Sequence, residues 1–318
     1  MQKHLFGLIL AAPVLGAFAS IALAQETAQT KPQDEEKTEI YRKYYEGAKG
    51  GAEQQKVAYD IAREYLKKYG SDSDQYVTAV RKWVAKYEAA TRLFDLNQAF
   101  NAKDYAKAFT VGRQILDQEP ENFPILLQLV HAGALNARAG NKSLNTETIA
   151  LARKSLQLVD SNKVANPAPM ASIDDARGFL SFSLASLLQE TSPVEASAAF
   201  LRAIKEGGSY KSDPTTYYLL GATIYNTEYE PLAAEYGAKY AGKDETPESK
   251  AMLERVNAIA NRAIDAMARA VALATKPEQK ELKAKVLAQL TDIYKDFHNN
   301  SDAGLNELVA TVLSKPLP

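Results

Sequence analysis

The chain has 318 residues, 46% of them hydrophobic and 24% charged, and a formal net charge of −1. These totals suit one large or two medium globular cores and exclude a collagen-like or broadly disordered chain. The near-neutral balance speaks against a nucleic-acid surface. The absence of Cys excludes disulfides, a thiol nucleophile, thiolate metal ligation and lipid attachment at a Cys.

In chain order, MQKHLFGLILAAPVLGAFASIALAQ comes first. Lys3, the apolar run from Leu5 and the small-x-small triplet Ala22-Leu23-Ala24 form the three parts of a secretory signal peptide over residues 1–24. An uncleaved anchor is the alternative. Residues 5–24 just reach spanning length, but Gly7, Pro13, Gly16 and many Ala weaken it. The expected location is periplasmic or secreted. QETAQTKPQDEEKT, residues 25–38, has no aliphatic residue larger than Ala and reads as a disordered, solvated linker.

From residue 39 onward, apolar residues recur at helical spacing with almost no period-2 pattern, so the fold class is all-α. Helices are expected near 38–47, 52–69, 74–101, 104–117, 123–139, 146–159, 172–189, 193–206, 214–226, 247–274, 278–298 and 302–313. Asp213-Pro214 and Thr246-Pro247 place a cap before a Pro at the first helical position. Ser172 with Asp175 resembles a capping box, and Ser301-Asp302 is expected to open the last helix. YEGAKGGAEQQK, 45–56, reads as a turn between helices; it lacks the strand and Lys-Ser/Thr pair of a phosphate loop. The stretch 227–246 is either a short helix around 232–240 or a loop anchored by its Tyr residues. Short breaks between helices imply antiparallel hairpins.

DYAKAFTVGRQILDQEPEN, 104–122, shows the unit of repetition. Tyr105, Ala108, Ile115, Leu116 and Pro120 fall at the spacings of a second repeat helix, leaving Lys107, Arg113, Asp117 and Glu119 toward solvent. Ala196, Phe200, Ala203 and Ile204 repeat that pattern. Tyr217, Leu220, Gly221 and Ile224 loosely match the first-helix signature, with Gly221 at a close-approach position. On these residues the chain resembles the tetratricopeptide-repeat family over roughly residues 90–300. Insertions at 139–148 and 227–246 break a regular 34-residue period. The resemblance implies an α-α superhelix of hairpins over 91–318 with a capping last helix, preceded by N-terminal helices over 39–90 packing on the solenoid.

Catalytic signals are sparse. The three His are His4, His131 and His298. No zinc-protease, phosphate-loop, nucleophile-elbow or dinucleotide motif occurs. Asp174-Asp175 is better read as first-turn charge on a helix than as an acid/base pair. No cofactor, metal or catalytic residue is assigned. The resemblance implies a ligand face on the first helix of each pair, at Asn97, Asn101, Gln128, His131, Tyr218, Tyr225 and Asn226. Asn and Gln can bond a peptide backbone and Tyr can stack, although Tyr218 and Tyr225 could equally pack between helices. Leu93 stands where a carboxylate-clamping Lys would be, so binding of a chain terminus is not expected. The leading expectation is an exported, non-catalytic scaffold whose partner is another envelope protein or a peptide, with no nucleic-acid partner. A carrier of a small ligand or glycan is the alternative, and a helical-toroid enzyme the least favoured.

Overall fold

The structure is a computed structural model describing residues 32–317. The signal-peptide assignment to residues 1–24, and the linker as far as residue 31, lie outside those residues. Every regular element among the described residues is helical. The chain divides into two compact units between Gln98 and Ala99.

The first unit contains α1 (Pro32–Ala48), α2 (Ala52–Tyr69) and most of α3 (Gln75–Asn101). Helix α1 begins inside the stretch read as linker. Its charges support it locally: Arg42 is paired with Glu39 at 2.8 Å and with Glu46 at 3.1 Å, one turn away on each side. The core of this unit is aromatic. Tyr69 meets Tyr65, Tyr65 meets Tyr41, Tyr41 meets Tyr44, Tyr44 meets Trp83, Trp83 meets Tyr87 and Tyr87 meets Tyr59, with centroids 5.0–6.0 Å apart. Rings recurring at helical spacing on all three helices thus form one ladder, with Ala58, Ala62, Val77, Val80 and Val84 filling the space beside it. Lys37 fastens α1 to the α2–α3 turn through Asp72 and Asp74, both at 2.5 Å. The hydroxyl of Tyr65 is buried with no hydrogen-bond partner, and that burial pushes its pKa up to about 12.

The second unit contains α4 (Tyr105–Leu116), α5 (Phe123–Arg138), α6 (Asn145–Asp160), α7 (Ile173–Leu188), α8 (Pro193–Glu206), α9 (Pro214–Ile224), α10 (Glu230–Tyr240), α11 (Pro247–Leu273), α12 (Lys280–Phe297) and α13 (Leu305–Thr311). Each of α4 to α8 packs on the next helix, α9 packs on α11 and α11 on α12, while α5 also touches α7. Contacts between a helix and its second neighbour are what stacked hairpins require.

Small residues set the spacing. A Cβ on Gly133 of α5 would fall within the Thr148 side chain of α6, 2.6 Å from Cγ2 and 2.8 Å from Cβ. A Cβ on Gly112 of α4 would lie 2.7 Å from Leu129 of α5. Gly221 behaves as its spacing predicts: its Cβ would sit 2.7 Å from Met267 and 3.0 Å from the Ala263 carbonyl of α11. Ala108, Ala196, Phe200 and Ala203 are fully buried, so the second-helix pattern does mark packing positions.

The exposed surface carries its own repetition. Arg113 of α4 grips Glu147 in the first turn of α6 with bonds of 2.7 and 2.6 Å. Arg153 of α6 grips Glu195 in the first turn of α8, the shortest bond being 2.7 Å. Each carboxylate also faces the positive end of its helix. Arg113 is therefore exposed but paired, a refinement of its expected solvent-facing role.

Helix starts follow their caps. Ser172 accepts from Asp175 N–H at 3.0 Å, Asp213 from Thr216 N–H at 3.0 Å, and Thr246 from Ser249 N–H at 3.1 Å. The last helix differs from expectation. Ser301 accepts from Ala303 N–H at 3.2 Å, stabilising a turn, and α13 starts only at Leu305, after Gly304 with φ +90°. The ambiguous 227–246 stretch is largely helical: a π-helical turn, Tyr225–Tyr229, joins α9 directly to α10.

Candidate functional site

Asn101, Gln128 and His131 belong to the second unit; Asn97 belongs to the first and is half-buried. Helix α5 is apolar nearly all round and deeply buried, and Asn122 caps it with a 3.3 Å bond from Ile125 N–H. Gln128 and His131 lie three residues apart, on one face. Gln128 is buried and His131 half-buried.

The imidazole of His131 sits between two rings. Phe100, in the last turn of α3, lies 5.3 Å away, and Phe179 of α7 lies 5.7 Å away, edge-on at 89°. Three helices, α3, α5 and α7, thus contribute one half-buried ring each to a continuous row, with Asn101 exposed in the same last turn as Phe100. Burial holds the His131 pKa below its ordinary value, so the imidazole is neutral at neutral pH. A neutral imidazole between aromatic edges can exchange a hydrogen bond with a peptide amide while the rings cover apolar side chains.

Tyr218, Tyr225 and Asn226 form a second group on α9 and the π-helical turn. Tyr218 is half-buried, and the Lys285 ammonium of α12 lies over its ring at 5.2 Å. Tyr225 packs on Tyr229 at 5.0 Å, and Tyr229 on Phe297 at 5.2 Å. Burial raises the pKa of Tyr225. Asn226 is exposed. These two Tyr rings therefore have intramolecular neighbours, in keeping with the packing alternative.

Asp174 and Asp175 serve separate structural ends. Asp174 pairs with Arg177 at 2.6 Å, while Asp175 accepts from Ser209 N–H at 2.9 Å and from the Ser172 hydroxyl at 2.7 Å. The Ser209 backbone and the Ser172 and Ser209 side chains hold the Asp175 carboxyl below the usual range. Among the described residues no group of three or more His, Asp or Glu could hold a metal ion.

Two features escaped sequence reasoning. The aromatic ladder was visible only as a Tyr-rich composition. Arg269 was missed although its signal was present: it is the lone cation in the apolar run 263–274, and it is 4% exposed. No helix among the described residues is long and apolar enough to cross a membrane. No protein-family model, curated protein or solved structure matches the chain.

Proposed function

We propose that this protein is an exported, non-catalytic helical-repeat scaffold of tetratricopeptide-like superhelical form, which binds another envelope protein or a peptide segment of one. The observation that carries this reading is the Phe100–His131–Phe179 row: three elements, α3, α5 and α7, present rings on a shared face. The export part of the proposal rests on the pattern of residues 1–24.

The test is affinity capture of envelope proteins on the purified chain beginning at residue 25, compared with the His131→Ala/Phe179→Ala double variant. A specific partner retained by the first and lost by the second, with helical circular dichroism unchanged in both, is the expected result. Equal capture by the two proteins moves the partner surface away from this row, and substrate turnover by the purified chain would replace the scaffold reading with an enzymatic one.

A further inference from the structure

A buried cation needs full compensation. Arg269 lies on the inner side of α11 with its side chain 5% exposed. Its Nε donates to Asp265 Oδ1 at 2.5 Å, and Nη2 to Oδ2 at 3.4 Å. Nη2 also reaches main chain, donating to the Lys315 carbonyl at 3.0 Å and the Pro316 carbonyl at 2.7 Å. Those carbonyls belong to the segment following α13, which leaves the 3-10 turn Val312–Ser314 with extended backbone at Lys315 (φ −93°, ψ 151°).

The segment is seated in a groove. Leu317 packs against the core beside Leu201 of α8, Tyr217, Leu220 and Ile224 of α9, and Ala266 of α11, where a cavity of about 20 Å³ remains. Recognition therefore has two parts. A single guanidinium nitrogen, Nη2 of Arg269, bonds two consecutive backbone carbonyls, which every extended peptide possesses, and a hydrophobic pocket takes one aliphatic side chain. Pro316 lacks an N–H to satisfy and its φ is already restricted, so the segment loses little freedom on docking.

The attachment is also light. Val312 is fully buried and anchors the turn, whereas residues 313–316 are exposed and Leu317 is half-buried. Lifting the segment breaks the two hydrogen bonds from Arg269 and withdraws the one apolar side chain of Leu317, without touching Val312. Segments held this weakly open far more readily than the core.

We propose that this groove is a binding site for an extended Pro-Leu-bearing peptide segment of a partner protein, and that residues 315–317 occupy it as a tethered competitor. The site uses residues of α8, α9 and α11 and does not rest on the His131 row. A short tether supplies an effective concentration on the order of millimolar. A weakly held segment, with intrinsic affinity on the order of 100 μM, therefore weakens a peptide in trans by about tenfold while it is docked.

The probe is a fluorescent, end-blocked peptide Ser-Lys-Pro-Leu-Pro, titrated against the full chain by anisotropy. Leu317→Asp vacates the pocket, so binding to that variant is expected to be at least about tenfold tighter than to the unaltered chain. Adding Leu201→Glu, which places a charge in the pocket wall, reverses the gain, and the peptide with Asp in place of Leu binds neither protein. Equal binding to the unaltered chain and Leu317→Asp, or no binding to Leu317→Asp at millimolar peptide, overturns the proposal. A second measurement avoids groove variants altogether. The chain has no Cys, so Lys315→Cys carries a single spin label at an exposed position. Excess peptide should raise the label's mobility to a saturating level, and a label that stays unmoved contradicts a displaceable segment.

Discussion

The two units close their helices with opposite materials. In the first, seven rings span the gaps between α1, α2 and α3, and spacing is set by bulk. In the second, Gly112, Gly133 and Gly221 remove bulk, so that Leu129, Thr148 and Met267 of the neighbouring helices seat directly against them. Rings tolerate irregular gaps because each one covers a large area, but their hydroxyls must go somewhere. Tyr59 donates to Glu88 at 2.7 Å and Tyr69 to Glu36 at 3.2 Å, whereas the Tyr65 hydroxyl is stranded. Glycine contacts carry no such polar cost but demand an exact fit, since even one carbon is too many. The second solution suits repetition: the same close approach can recur from pair to pair and leave one face free for larger side chains.

The largest effect expected from breaking this contrast is at the centre of the ladder. Tyr65→Ala should destabilise the first unit by about 3–5 kcal/mol, the cost typical of deleting a buried ring. Trp83 is the sole Trp of the chain and belongs to the ladder, so its fluorescence during urea unfolding reads that loss directly. Next comes Gly133→Ala, which forces a carbon into Thr148. A loss of about 1–3 kcal/mol is expected, seen by circular dichroism and moving the Trp83 transition less. Thr148→Ala in the same chain should return part of it, because the two side chains contest one space.

Tyr65→Phe separates the ring from its hydroxyl. Removing a buried, unpartnered donor should leave the Trp83 transition unchanged or raise stability by about 1 kcal/mol, where loss of a hydrogen bond would lower it. The smallest effect concerns pH. Burial lowers the folded-state pKa of His131, so the unfolded chain binds its proton more readily. Stability therefore rises with pH through the window below the unfolded value of about 6.5 and falls on acidification. Urea midpoints between pH 5 and 7 should show this slope by circular dichroism, and His131→Gln should flatten it.

Much of this architecture was legible in the residues. Caps and periodicity located the helices because both are local: Asp213, Thr246 and Ser172 act within three residues of themselves. Gly221 was legible as a close-approach position because its signature surrounds it. The start of α1 was not, since a charged stretch without apolar residues resembles a linker until its Lys37 meets Asp72 and Asp74, some 35 residues away. The Ser301 turn was misjudged because a hydroxyl before an apolar run caps a turn as readily as a helix. Of the candidate face, Gln128 and His131 could be placed on one side of α5 by spacing alone, but Phe100 and Phe179 became neighbours of His131 only through tertiary packing. Arg269 stands out in the sequence as the lone cation of 263–274, but its partners at 315 and 316 are distant carbonyls, which no side-chain pattern announces.

The central functional claim is that the first-helix row of the second unit contacts a partner while the second helices do not. It is tested most directly by placing a photo-crosslinking side chain at Asn101, beside Phe100, and separately at Gln157, exposed on α6. Crosslinks to one partner at Asn101, lost in the His131→Ala/Phe179→Ala background and absent at Gln157, are the predicted result. Equal crosslinking at both positions, or crosslinking at Asn101 that survives loss of both rings, would contradict it.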